Sequence, residues 1–307
     1  MKKRKLLVIF LFCLLALPFP FSLISWIGRS HLETTYQSDM PMLTISEYDI
    51  YVDTRTATSA ELARSGVSYE AVAAIKSNDI EDELTRLSAL PDEELSNRGY
   101  NTGQIEILHD YTGERIETNP KLRGIFADVK CNFYQYTANN ISLSLKIVWE
   151  WTNKPMLSGI SITDIVVIRW QGTNTAGLPM NLALNSSGSS CMINYYNPYE
   201  SYQSQSSVSI STTDPYGHAY AKFPMSNGIA NGSSYAKTGT LITKIDRTGT
   251  DAIKEAAFVF AYGHTTVALT NPSLSLPDPF GIYFSFGVTT MCKEVIRMNS
   301  SGIITRY

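Results

Sequence analysis

Over residues 141–152 the chain alternates without a break. Ile141, Leu143, Leu145, Ile147, Trp149 and Trp151 interleave with Ser142, Ser144, Lys146, Val148, Glu150 and Thr152. Successive side chains of a strand point to opposite faces, so a period of two puts all six large apolar groups on one side. A helix would scatter them around its circumference. A strand with one wholly apolar face must be covered by a second apolar layer. Weaker alternation at Val208/Ile210, at Leu241/Thr243/Ile245, at Phe258/Phe260/Tyr262 and at Ile282/Phe284/Phe286 offers strands for both layers, and Gly, Asn, Ser and Pro separate them. No strand–helix–strand alternation and no repeat of fixed period accompanies them. The expectation is a mainly β chain in which residues 123–307 form an antiparallel β-sandwich.

Asp164 conflicts with this pattern. If residues 160–170 were one strand, it would share a face with Ile160, Ile162, Val166, Ile168 and Trp170, where an unpaired carboxylate is costly. The less costly reading is a turn or bulge at Thr163-Asp164, with the strand starting at Ile165. The sharper one is a buried functional acid paired with Arg169 or a nearby Lys.

Upstream, helix formers replace β-branched and aromatic residues, and the charge changes. Residues 38–123 carry 8 basic against 17 acidic groups, and residues 124–307 carry 12 against 10. Thr58-Ser59-Ala60-Glu61 is a capping box, in which each side chain can serve an orphan amide of the first turn. Gly66 suits the end of that helix. Val72, Ile75, Ile80, Leu84 and Leu87 recur at mostly helical spacing. Pro91 before Asp92-Glu93-Glu94 starts a helix that Gly99 ends, and Asn101-Thr102 caps another carrying Ile105 and Leu108. Leu95, Tyr100, Ile105, Leu108 and Tyr111 suit one small hairpin of helices. Residues 57–122 therefore read as a small acidic helical region, and residues 29–56 as an extended linker.

Met1-Lys2-Lys3-Arg4-Lys5 precedes residues 6–28, which carry no charge. A basic cluster before an apolar run is the export signature. A helix over 6–28 would be ~34 Å long, against a hydrocarbon core of ~30 Å. Pro18 and Pro20 favour a shorter signal core, yet no A-x-A cleavage site follows. Residues 1–28 thus read as a signal peptide or a membrane anchor, with both alternatives open. In either case the chain from Arg29 onward lies outside, membrane-anchored or secreted.

With 44% apolar and 17% charged residues the chain is globular in composition. A net charge of −3 and a pI near 5.9 argue against a nucleic-acid partner. Lys237-Thr238-Gly239-Thr240 matches the K-T-G strand of penicillin-recognising enzymes, and Ser234-Tyr235-Ala236-Lys237 matches S-x-x-K. In those enzymes the motifs lie far apart and face each other. Here they share Lys237, so one stretch cannot play both parts. H-E-x-x-H, G-x-S-x-G, the P-loop and G-x-G-x-x-G are absent. Tyr216-Gly217-His218 and Tyr262-Gly263-His264 would make a metal site only if they met near Asp214. The simpler reading is two glycine turns or bulges with polar strand histidines, so no metal and no cofactor is expected. Outside the export segment the cysteines are Cys131, Cys191 and Cys292, which allow at most one bridge within a monomer. A Cys131–Cys191 bridge would contribute about 4 kcal/mol in the chain-entropy model. Small buried thiols are an equal alternative.

Between residues 185 and 220 the chain is rich in Ser, Asn and Tyr. Exposed rings of Tyr195, Tyr196, Tyr199 and Tyr202, with His218 and His264, are the candidate ligand contacts, since Tyr offers an apolar face and a polar tip. The plainer alternative is a surface hairpin whose tyrosines cover a sheet edge.

Trp149-x-Trp151, then Pro155, then Asp164-x-Val166 and Trp170, resembles a stretch found in uncharacterised exported proteins of Gram-positive bacteria. Tyr262-Gly263-His264 is similar to an element of the same group. The resemblance covers well under half of the chain and implies export, with no activity and no site residue attached. The functional expectation is a non-enzymatic surface module that binds an extracellular glycan or protein. The alternative is an extracellular hydrolase with an acid or metal site.

Overall fold

A computed structural model describes residues 43–64, 80–155, 163–197, 199–226, 234–265, 274–276, 282–284 and 288–306. The export segment, Gly66, Val72, Ile75, Ile160, Ile162 and Phe286 lie outside the described residues. Strand β1 (Leu43–Ser46) leads into the helices α1 (Glu47–Thr56), α2 (Ser59–Arg64), α3 (Ile80–Ser88), α4 (Asp92–Arg98) and α5 (Thr102–His109). Two 3-10 turns, Ile116–Thr118 and Pro120–Ile125, follow. The strands are then β2 (Asp128–Ala138), β3 (Ser142–Trp151), β4 (Thr163–Asn174), β5 (Pro179–Met180), β6 (Leu182–Leu184), β7 (Ser190–Tyr196), β8 (Tyr202–Val208) and β9 (Ile210–Ser211). The last are β10 (His218–Pro224), β11 (Tyr235–Arg247), β12 (Ile253–Thr265), β13 (Leu274–Ser275), β14 (Tyr283–Phe284), β15 (Val288–Asn299) and β16 (Ile304–Arg306).

Two antiparallel sheets carry the fold. The first has the order β1-β2-β3-β11-β7-β8, with β6 also on β11, and the second has β16-β15-β12-β4-β10-β9, with β5 on β4. Their inner faces share one core. Leu143, Leu145, Ile147, Trp149 and Trp151 of β3 are all fully buried there. Trp149 stacks on Phe223 of β10 with centroids 5.8 Å apart, and Phe133 of β2 meets Phe260 of β12 edge-on at the same distance. Ile141 departs from the expected face: it is 50% exposed, because the strand begins one residue later, after the 139–141 turn. The turn forms because Asn139 Oδ1 accepts the amides of both Ile141 and Ser142, at 2.8 Å each.

β4 is buried on both faces. Val166, Ile168 and Trp170 enter the shared core, whereas Ile165 and Val167 pack outward under Ile282, Leu276 and Phe284. The reading of Thr163-Asp164 as a turn or bulge, with the strand starting at Ile165, is therefore corrected. Asp164 is a strand residue, fully buried on the inner face, because partners described below satisfy its carboxylate.

The helical region has its own core, built from Ile80, Leu84, Leu87, Leu95, Ile105 and Leu108 among others. Each expected cap is present where it is described. Thr58 Oγ1 accepts the Glu61 amide at 3.2 Å while Glu61 accepts that of Thr58 at 2.7 Å. Gly99 closes α4 with φ of 101°, and Asn101 and Gln104 exchange bonds in a capping box on α5. Residues 43–56, assigned above to a linker, instead form β1 and α1. The β1 main chain pairs with β2, and Glu47 binds Ala127 in both directions, amide to carbonyl and amide to Oε2, at 3.0 Å each. Lys154 after β3 donates to the Arg98 carbonyl at 3.0 Å, a second tie between helices and sheets. Among the described residues, no helix is long and apolar enough to cross a membrane.

Candidate functional site

Two polar constellations merit a functional reading, and they differ in access. The first is built around Asp164. Its Oδ2 accepts the Tyr262 hydroxyl at 2.5 Å, and its Oδ1 accepts the Thr265 amide at 3.0 Å. His264 Nδ1 reaches both oxygens, at 2.9 and 3.0 Å. Trp151 of the facing sheet donates Nε1–H to the Tyr262 oxygen at 3.0 Å. β12 places Tyr262 and His264 on the inner face because a single residue, Gly263, separates them, and pairing sets Tyr262 beside Val166 of β4. Burial disfavours a charged His264, but Asp164, assisted by Glu47, outweighs it and holds the imidazole above its ordinary pKa.

An acid–imidazole pair of this kind orients a general base in many hydrolases. Here Asp164, His264, Trp151 and Tyr262 have zero exposure, and Thr265 has 4%. His264 Nε2, which would face a nucleophile, has no hydrogen-bond partner. The cluster joins β3 of one sheet to β4 and β12 of the other, and its side chains are buried. The sharper sequence reading of Asp164 is right about burial and pairing but wrong about the partner, which is His264 and not Arg169. Asp164 and Tyr262-Gly263-His264 are a hundred residues apart, so the strand register that joins them could not be read in advance.

The second constellation lies on the outer face of the first sheet, at the β7–β8 hairpin. Tyr199 and Tyr202 are 68% and 56% exposed, and Tyr202 meets the half-buried Tyr196 ring edge-on at 5.8 Å. Local hydrogen bonds tie described residues of the loop together. Asn197 Oδ1 accepts the amides of Tyr199 and Ser201 at 3.0 and 2.9 Å. Glu200 adopts φ of 64°, the one left-handed non-glycine residue among those described. Its carboxylate fixes that conformation by accepting the Tyr235 hydroxyl at 2.8 Å and pairing with Lys237. Lys237 Nζ in turn lies 5.5 Å over the Tyr196 ring, a cation–π arrangement. Backbone strain of this kind costs of order 1–3 kcal/mol and concentrates at functional sites. Below the tyrosines runs a polar row across four strands. Gln205 Nε2 donates to Asn194 Oδ1 and Asn194 Nδ2 to Thr238 Oγ1, each at 2.9 Å, with Glu150 next in register.

The six residues singled out from sequence divide accordingly. Tyr196, Tyr199 and Tyr202 come together on this face. Tyr195 does not: alternation turns it inward, where it is 1% exposed and donates to the Pro224 carbonyl at 2.9 Å. His218 is 5% exposed and accepts from Thr213 at 3.3 Å, and burial lowers its pKa. His264 is sealed as described. These three leave the set of possible ligand contacts. The two histidines do not meet either. His218 pairs with Arg169 on the outer face of the second sheet, whereas His264 lies beside Asp164 on its inner face. That is five residues along β4, roughly 16 Å at the strand rise. The condition set for a metal site, that the two triplets meet near Asp214, is not met, and among the described residues no group of His, Cys, Asp and Glu has metal-holding geometry. Sequence reasoning missed Glu200, Lys237, Asn194 and Gln205, because their roles depend on cross-strand neighbours.

The Cys131–Cys191 bridge is also corrected. The two residues lie on β2 and β7, three strands apart in one sheet, or about 14 Å, and a disulfide needs Cα atoms within about 7 Å.

No protein-family model and no curated protein matches the chain. Among solved structures, the chain is similar to the collagen-binding domain from a Staphylococcus aureus adhesin. The identity is 13%, 43% of this chain and 84% of that one are covered, and the TM-score is 0.22. It is similar also to the group B streptococcus pilus 2b backbone protein, at 10% identity over 55% and 82%, TM-score 0.27. A third is AvmM, which catalyses macrocyclization in alchivemycin A biosynthesis, at 9% identity over 54% and 86%, TM-score 0.26. Identities and TM-scores this low place the chain in no family.

Proposed function

We propose that this is an exported, non-enzymatic surface module that binds an extracellular glycan or protein through the β7–β8 hairpin. The observation that carries the reading is the exposed pair Tyr199 and Tyr202, held on a strained and fully braced loop. Aromatic faces beside a row of amide and hydroxyl groups suit a sugar ring, which stacks through its C–H face and hydrogen-bonds at its rim. They suit a protein surface equally, since Tyr is enriched at interface centres. Residues 6–28 deliver the chain across the membrane and, if uncleaved, hold it there. The alternative, an extracellular hydrolase with an acid or metal site, draws less support, since the Asp164–His264 pair has no exposed surface.

The test is the double substitution Tyr199→Ser/Tyr202→Ser, leaving Tyr195 and Tyr196 in place. Adherence to purified cell-wall glycan and to extracellular-matrix protein is measured alongside thermal melting. The expected result is an unchanged melt with binding reduced at least tenfold. Unchanged binding by the folded variant, or no binding by the wild type, overturns the assignment. Export is read separately, by digestion of residues 43–306 with protease added to intact cells.

A further inference from the structure

Cys131 and Cys292 face each other across the sandwich. Cys131 on β2 is the register neighbour of Trp149 on β3, and Cys292 on β15 is that of Tyr262 on β12. The Trp149 and Tyr262 rings meet between the sheets with centroids 5.8 Å apart. Their neighbours, one strand outward in each sheet, are thereby brought opposite one another. Both cysteines belong to the shared core, at 0% and 2% exposure. The Cys292 thiol comes within hydrogen-bond reach of Cys131. Both thiols are free in this structure, and the strands that carry them, β2 and β15, approach each other across the core, so a bridge asks only that the two Cα atoms come within about 7 Å.

We propose that Cys131 and Cys292 are a disulfide-forming pair that closes, on oxidation, into a covalent tie between the two sheets, leaving Cys191 as a core thiol. The bond forms by two exchanges with a small disulfide oxidant such as oxidised glutathione. One cysteine thiolate attacks the oxidant, giving a mixed disulfide and one released glutathione. The second cysteine thiolate attacks the protein sulfur of that mixed disulfide, forming the Cys131–Cys292 bond and releasing the other glutathione. The two thiol protons end on the released glutathiones, and two electrons reduce the oxidant. Burial pushes the Cys292 thiol well above its ordinary pKa. The folded chain thus offers little thiolate, and exchange precedes closure of the core. Once formed, the bond is shielded from reductants, so it persists in an oxidising compartment and resists reduction in the native state. The inference stands on the geometry of the core and does not depend on the hairpin or on export.

The experiment uses the full chain in detergent, unfolded and refolded in glutathione redox buffer. It is then denatured without reductant, alkylated and digested. The expected map contains the Cys131 peptide linked to the Cys292 peptide, with Cys13 and Cys191 alkylated. Alkylation of both Cys131 and Cys292, or a link from either of them to Cys13 or Cys191, overturns the proposal. Refolding with dithiothreitol should lower Tm by roughly 10 °C, since the bridge closes a loop of about 160 residues. The Cys131→Ala/Cys292→Ala variant should show no difference between the two refolding conditions. Should that variant fail to fold, the wild-type peptide map decides alone. A linked peptide would support the pair even if the protease test on intact cells showed that the protein is not exported.

Discussion

Asp164→Asn separates a structural cluster from a catalytic one. The carboxylate accepts from three groups, Tyr262, Thr265 and His264, and donates nothing. An asparagine has the same size but one acceptor oxygen and an amide that must donate. The Tyr262 oxygen already accepts from Trp151, so the new NH2 confronts the Tyr262, Thr265 or His264 donors. At least one buried donor is orphaned, at about 1–3 kcal/mol. The imidazole also loses its negative partner, and breaking a buried pair by removing one member costs about 3–5 kcal/mol in total. At 2–4 °C per kcal/mol for a chain of this size, Tm should fall by roughly 10 °C. The loss should depend on pH with a definite sign. Asp164 and Glu47 together raise the His264 pKa against the opposing effect of burial. A group whose folded pKa is raised contributes stability that is complete below its unfolded value, about 6.5 for His, and is lost as pH rises through the folded value. The gap between wild type and variant should therefore be widest near pH 6 and narrow toward pH 9. Thermal melts at both pH values measure it. A variant melting within about 2 °C of wild type, or a gap that widens with rising pH, refutes this account of the cluster.

Two further substitutions probe the sheets and the helices. Gly239 on β11 lies against the Trp149 ring, and a methyl group there would overlap the ring edge. Gly239→Ala should thus destabilise by about 1–3 kcal/mol through overpacking, read as an earlier urea midpoint with an unchanged m-value. Asn101→Ala removes the side chain that accepts the Gln104 amide at 3.0 Å. It should cost about 1 kcal/mol, seen as faster hydrogen exchange over α5 with the sheets unaffected.

How much of this was legible depends on the range over which each residue acts. Period-two patterning is local, and it located β3, β11 and β12 and their core faces, Ile141 at the start of β3 excepted. Helix caps are local too, and Thr58, Gly99 and Asn101 stand where their chemistry put them. β4 misled because both of its faces are covered, so Asp164 sits in an apolar run that reads as a conflict. Its resolution lies in His264 and Tyr262, a hundred positions away, and no composition or spacing rule links them. Tyr195 and Tyr196 show the opposite limit. Adjacent residues in a strand must face opposite ways, so the whole tyrosine stretch could never have formed one surface. The pairing of Cys131 with Cys292 requires knowing which strands face each other across the core.

The hairpin is exposed for a topological reason. Among the described residues β8 pairs only with β7 within its sheet, and the chain then passes through Ser209 to β9 in the other sheet. β8 is thus an edge, and its sequence alternates accordingly: Ser204, Ser206 and Val208 turn partly inward while Gln205 and Ser207 face solvent. An exposed edge invites pairing with other chains unless it is twisted or interrupted. The register shift between Tyr195 and Tyr196 interrupts it, just below the loop that Glu200 braces. The skipped residue is Gln203, so Tyr202 falls opposite Tyr196 and meets it edge-on on the outer face, while alternation keeps Tyr195 in the core. Interrupting the edge and setting the Tyr202 ring against that of Tyr196 are consequences of one local distortion, which lies on the outer face and so leaves the packing of the core untouched.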